Sequence, residues 1–484
     1  MKRFVFFSLM FLILPFFCFG CENGETKLDC YHIEAVYDES EKSLSCKQTV
    51  EYVNNSDNAI DNISFFVYAN AFAQGENVVS SAYKSKAYPN GESFGNMQFH
   101  SLEVAGEMVE VQMKNDAILI VPLNKQLFPQ ESVLIDMNYT IMLANINHRL
   151  GYGNNAVNFG NFFPIACVYV EGSGFVENSF ATNGDPFYSN ISNFEVNLTC
   201  DKDFIVAASG HKTNEVQKDS IKQHTFSAKK VRDFALVISK KYELVSQEVE
   251  GVVVNYFYYD DKDATEHLQT GVDALKTFKE VFGNYPYRQL SVVKTNFCFG
   301  GMEYPNLVMI SDDLVEKQTI DYVIVHEIAH QWWYGMVGND QFSQAWVDEG
   351  LTEFSCALFF EKNPKYGISY ENIMDNARNT YKKFVEIYSK INGDVDESMN
   401  RRLNEFATEP EYVNCIYTKG MLLFDSVRQS MNDKKFFKCL ENYFEDYCFQ
   451  NSSSDKLIES FSHSAKINLE GFFKSWIYGE VVIN

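Results

Sequence analysis

The sequence predicts a multidomain α+β protein, with an N-terminal antiparallel β domain followed by a mostly helical domain that carries a small sheet. Three observations lead there. From about residue 30 to 250 the chain runs in short β segments separated by clusters of Asn, Gly, Ser and Asp. From about residue 262 the apolar period turns helical and stays so as far as Trp476. The length of 484 residues, at about 150 residues per domain, suggests roughly three units, or two once an N-terminal leader is set aside.

The leader comes first. Lys2 and Arg3 precede an uncharged run from Phe4 to Gly20, the layout of a secretory signal. Pro15 interrupts the run, which falls short of the roughly 20 apolar residues of a membrane span. Gly20-Cys21 resembles a bacterial lipoprotein cleavage site. The expectation is therefore an exported protein, with residues 1–20 removed and Cys21 lipidated at the cell surface. Plain secretion is the alternative.

The expected β domain covers 21–250. Val50-Glu51-Tyr52-Val53, Ala117 to Val121, Phe194 to Leu198 and Phe234 to Ile238 read as strands, and Gln74 to Asn96 as a long loop. The second domain covers 251–484. Ala264 to Val281 is an amphipathic helix ended by Gly283-Asn284-Tyr285-Pro286, and Leu290 to Lys294 is a strand.

Composition removes some functions. The 65 Asp+Glu against 41 Lys+Arg give a net charge of −24, the wrong sign for a nucleic-acid surface. The 11 cysteines form no CxxC pair beyond the leader. They read as buried small hydrophobes rather than a disulfide scaffold or a thiolate zinc site.

The chemistry lies between residues 300 and 420. His326-Glu327-Ile328-Ala329-His330 is an H-E-x-x-H motif, with Thr319 and Gly335 as expected helix caps. Four residues turn a helix by about 400°, so the two imidazoles share a face and can hold one metal ion. Glu327 lies about 100° round and reaches a metal-bound water instead. By itself the motif also fits a core helix with two satisfied histidines. Glu349, 19 residues after His330 in Trp346-Val347-Asp348-Glu349-Gly350, completes a His₂Glu set that leaves a fourth position for water. Apolar Trp346, Val347, Leu351 and Phe354 place Glu349 on a second helix. Gly350 in that helix calls for a packing reason.

These motifs resemble the gluzincin zinc aminopeptidases typified by aminopeptidase N. The shared pattern is H-E-x-x-H followed by W-x-[ND]-E-G, with a G-x-M-E-N loop before it. Here the loop reads Gly300-Gly301-Met302-Glu303-Tyr304, with Tyr304 in place of Asn. Tyr417-Thr418-Lys419-Gly420 matches the family's Y-x-K-G setting. Segments around Phe163-Pro164, Asp185-Pro186, Arg232-Asp233 and Phe473 to Trp476 extend the likeness over most of the chain.

The resemblance implies a thermolysin-like catalytic domain with one Zn²⁺ per chain, held by His326, His330 and Glu349. It makes Glu327 the general base and Tyr417 the oxyanion donor, with Tyr412 as the fallback. Gly301, Met302 and Glu303 become the substrate-binding loop, Glu303 taking the free α-amine. It also implies a short form, without the helical domain that closes the site in larger members. A second amine-binding residue from the β domain has no clear match, and Asp185 is nearest by position. Glu353, one turn beyond Glu349, is read either as an acid that orients a ligand histidine or as a surface acid. The expected activity is removal of N-terminal residues from peptides. The alternatives are a zinc endopeptidase on the same site and a catalytically weak surface peptide-binding protein.

Overall fold

The structure is a computed structural model that describes residues 27–483. The expected leader and Cys21 lie outside the described residues. Among the described residues, no helix is long and apolar enough to cross a membrane.

The first half is built on an eight-stranded sheet. Its order is His211–Lys218, Ile221–Val231, Ser192–Asp201, Asp29–Asp38, Ser43–Val53, Ser132–Met142, Asn96–Val104 and Glu107–Met108. Alternation decides which face each strand buries. In Asp29–Asp38, Tyr31, Ile33, Ala35 and Tyr37 point inward while Val36 is exposed. The sheet is antiparallel as expected, apart from one pairing in which Asp29–Asp38 runs parallel with Ser192–Asp201. Residues 39–191 separate the two strands, ample for a crossover. Two four-stranded sheets, one of them carrying Ile60–Phe66 and Ile118–Leu127, close the β core. The expected loop 74–96 holds one short helix, Lys84–Ala87.

A five-stranded sheet joins the halves in the order Glu243–Val249, Val252–Tyr258, Gln289–Thr295, Leu307–Ser311 and Gly301–Met302. The Glu243–Val249 strand pairs antiparallel with Val252–Tyr258. The central strands are apolar without alternation because both faces are covered. Val293, Leu307 and Met309 pack into the β-domain core. Leu290, Val292, Val308 and Ile310 pack under the helices.

The Ala264–Val281 helix forms over the expected span. The motif helix Lys317–Ala329 and the acid helix Trp346–Lys362 lie against each other. Gly350 has the packing reason that the sequence called for. A Cβ there would stand 3.0 Å from the Cα of Gly420, so the acid helix and the Lys419–Gln429 helix meet backbone to backbone. Cys46, Cys167, Cys200, Cys298, Cys356, Cys415 and Cys439 are buried free thiols, as small hydrophobes would be.

Candidate active site

The motif helix differs from its expected bounds. Its N-cap is Glu316 rather than Thr319, and it ends at Ala329 with His330 at the C-cap rather than running to Gly335. Beyond Ala329 the backbone widens. The N–H groups of Gly335, Met336 and Val337 reach back five residues, to the carbonyls of His330, Gln331 and Trp332. This turn brings the Trp333 carbonyl to 2.9 Å from His330 Nδ1. Nδ1–H donates there, which leaves the Nε2 lone pair facing the site.

Three atoms meet at that point. His330 Nε2 lies 3.2 Å from His326 Nε2 and 3.2 Å from Glu349 Oε2. His326 Nε2 lies 3.4 Å from the same carboxylate oxygen. Tetrahedral ligands at about 2.0–2.1 Å from a zinc ion stand about 3.3–3.4 Å apart. The residues fit a zinc ion in spacing as well as in chemistry. Two other groupings come close, Glu303 with His330 and Asp348, and His326 with Glu353 and Cys356. Among the described residues, only His326, His330 and Glu349 offer two imidazole nitrogens and a carboxylate. Burial pushes the Glu349 carboxyl up, but His330 and His326 outweigh it and bring it down to about 2.

Glu327 is buried beside this point, and its Oε2 has no hydrogen-bond partner among the described residues. Burial and the charge of Glu303 push its carboxyl well above the usual range. Gly301 is what lets it sit there. A Cβ at that position would stand 2.3 Å from Glu327 Oε1. Gly301 and Met302 form the edge strand of the five-stranded sheet, paired with Ile310 and Met309. Glu303 follows, buried, with its carboxyl pushed by burial and by Asp185 up to about 8. Tyr304 anchors the loop from below, its hydroxyl 2.5 Å from Asn161 Oδ1 of the β domain.

Tyr417 lies in a π-helical turn, Asn414–Thr418, a local widening often found at functional sites. Its hydroxyl donates to Glu349 Oε1 at 2.5 Å, and its ring stacks on His326 at 6.0 Å. The fallback Tyr412 is next to it, rings 5.6 Å apart, with a buried hydroxyl that has no partner among the described residues. Glu353 Oε1 lies 3.6 Å from His326 Nδ1, on the ring edge away from the converging atoms. Asp185 pairs with the buried Arg149.

The structure thus brings His326, Glu327, His330, Glu349, Glu303 and Tyr417 together, with Gly301 and Met302 on the strand beside them. Sequence reasoning missed Gln341. Its Nε2 donates to Glu303 Oε1 at 2.9 Å and to Asp348 Oδ2 at 2.8 Å. Asp348 could have been flagged as part of the W-x-D-E-G motif, but nothing around Gln341 marked it.

Residues 266–476 match the peptidase family M1 domain. Endoplasmic reticulum aminopeptidase 2 of Homo sapiens is 23% identical over 289 residues, 54% of this chain and 28% of that protein. Aminopeptidase B of Mus musculus is 25% identical over 206 residues, 41% of this chain and 31% of that protein. The matches to the curated relatives thus span about a third or less of their length. Among solved structures, the M1 zinc metallopeptidase of Deinococcus radiodurans superposes with a TM-score of 0.65 at 17% identity, covering 94% of each chain. A mutant of that enzyme bound to a Tyr-Ser-Ala substrate gives 0.66 at 16% identity and covers 94% of each chain. At these identities the structural likeness is one of fold.

Proposed function

We propose, from the premise that residues 266–476 form a peptidase family M1 domain, that this chain is a zinc-dependent aminopeptidase that removes N-terminal residues from peptides. The observation that carries the proposal is the convergence of His326 Nε2, His330 Nε2 and Glu349 Oε2 beside two further buried acids, Glu327 and Glu303.

His326, His330 and Glu349 would hold one Zn²⁺. Bound there, zinc supplies Lewis acidity to the scissile carbonyl and to the attacking water. Glu327 takes the proton of that water on its unpartnered oxygen and returns it to the leaving amine. The Tyr417 hydroxyl, turned from Glu349 onto the carbonyl oxygen, donates to the developing negative charge. Glu303 pairs with the substrate's α-ammonium. A carboxylate buried this deeply needs a counter-charge, and the ammonium provides it. Gly301 and Met302 set the distance between that anchor and Glu327. Because the anchor sits beside the metal position, only the first peptide bond reaches it.

The test is a panel of three substrates with and without a chelator: a leucyl arylamide, its N-acetylated form, and a peptide blocked at both ends. Chelator-sensitive cleavage of the first alone is expected. Cleavage of the doubly blocked peptide would make the enzyme an endopeptidase. Turnover of none, with zinc present, would leave a peptide-binding protein.

We further propose that the chain is exported and anchored by a lipid on Cys21, supported by Lys2, Arg3 and the apolar run to Gly20. Mass spectrometry of the cell-derived protein should find an acylated N-terminus at Cys21. An unmodified N-terminus would indicate plain secretion.

A further inference from the structure

Gln341 joins three parts of the site. Its side chain is buried, at 2% exposure. The two amide hydrogens on Nε2 are both spent on acids, Glu303 Oε1 at 2.9 Å and Asp348 Oδ2 at 2.8 Å. Asp348 is held on its other oxygen by Asn339 Nδ2 at 3.0 Å, and it precedes Glu349 on the acid helix. The backbone N–H of Gln341 donates to the Phe187 carbonyl of the β domain at 3.2 Å, which fixes where the side chain starts. Meanwhile its carbonyl Oε1 is buried without a hydrogen-bond partner among the described residues. Packing alone would not favour that choice, since a buried polar atom left unpaired is a cost. An apolar side chain of equal length would fill the space without it. What the amide supplies, and a methionine would not, is the pair of donors.

We propose that Gln341 is a positioning residue for substrate-amine recognition. It holds the Glu303 carboxylate toward an incoming α-ammonium group and ties that carboxylate, through Asp348, to the helix carrying Glu349. The proposal rests on the reading of Glu303 as the amine anchor. Gln341 itself does not touch the reacting atoms. Its loss should therefore loosen the grip on the ammonium group while leaving the chemical step and the metal in place.

The test compares wild type, Gln341→Met, Gln341→Glu, Glu303→Ala and the Glu303→Ala/Gln341→Met double variant, each checked for zinc content and thermal unfolding. Leucyl arylamide turnover gives KM and kcat. Inhibition by L-leucine is set against 2-hydroxy-4-methylpentanoate, which lacks the ammonium group. A donor to a charged group is worth enough that Gln341→Met should raise KM and the leucine Ki by about tenfold or more. The expected kcat stays within about threefold, a change of under 1 kcal/mol in the barrier. Zinc content and the hydroxy-acid Ki should not move. On the Glu303→Ala background the Gln341 substitution should add nothing, as two residues acting through one interaction do. Gln341→Glu keeps the length without the donors and should lose the same preference for leucine over the hydroxy acid, which covers the case of a Met variant that folds poorly.

Parallel weakening of leucine and the hydroxy acid, or a fall in kcat with KM unchanged, would overturn the proposal. If Glu303→Ala weakens leucine selectively and Gln341→Met does not, the Gln341 role fails alone. If neither is selective, the reading of Glu303 as the anchor fails with it.

Discussion

Two buried histidine–carboxylate clusters lie on neighbouring helices and differ in what they need. His267, on the Ala264–Val281 helix, gives Nδ1 to Asp261 Oδ2 at 2.8 Å, and Tyr256 donates to the same oxygen at 2.6 Å. One proton between His267 and Asp261 closes that pair, and His267 Nε2 is left alone, without a second lone pair facing it and without a hydrogen-bond partner among the described residues. At His326, His330 and Glu349 three lone-pair atoms lie within 3.4 Å of each other. His330 has already committed its Nδ1 proton to Trp333. Two Nε2–H groups donating to Glu349 Oε2 would face each other at 3.2 Å, whereas one cation takes a lone pair from all three atoms. Burial of a histidine beside an acid is thus not by itself a sign of a metal; convergence is.

The difference is best broken at the ligands. His330→Ala should remove zinc and bring arylamide turnover to background, measured by metal analysis and initial rates. Tyr417→Phe comes next. It keeps the ring that stacks on His326 but removes the donor, and kcat should fall by ~10²–10³ with zinc retained. Gly301→Ala puts a methyl where Glu327 Oε1 lies, and a displaced base should cost about 10² in kcat/KM. The smallest effect on catalysis belongs to the other cluster. His267→Phe should leave kcat/KM unchanged while lowering unfolding stability by ~1–3 kcal/mol in urea, because Asp261 loses a buried partner. Loss of zinc from the His267 variant would erase the distinction.

Much of this was legible in the sequence because the chemistry is local. Four residues separate His326 from His330, and one helical turn places both on a face whatever the rest of the chain does. Glu349 was legible through its own helix and its spacing. The helix ends were less so. His330 takes the C-cap because the wide turn that follows carries the Trp333 carbonyl to its ring, and no propensity announces such a turn. The parallel pairing of Asp29–Asp38 with Ser192–Asp201 was also out of reach, since it joins segments far apart in the chain and each alternates as an antiparallel strand would. Gln341 is the clearest case. A polar residue on a four-residue helix has no period and no motif, and its meaning comes only from the two acids that the fold brings to it.

Substitution of the proposed base tests the central claim most directly, because it separates holding the metal from using it. Purified Glu327→Gln should contain one zinc per chain and bind leucine as wild type does, with leucyl arylamide turnover lower by ~10²–10⁴. Near-wild-type turnover in a zinc-loaded Glu327→Gln protein, or a wild-type protein that binds no zinc, would contradict the account.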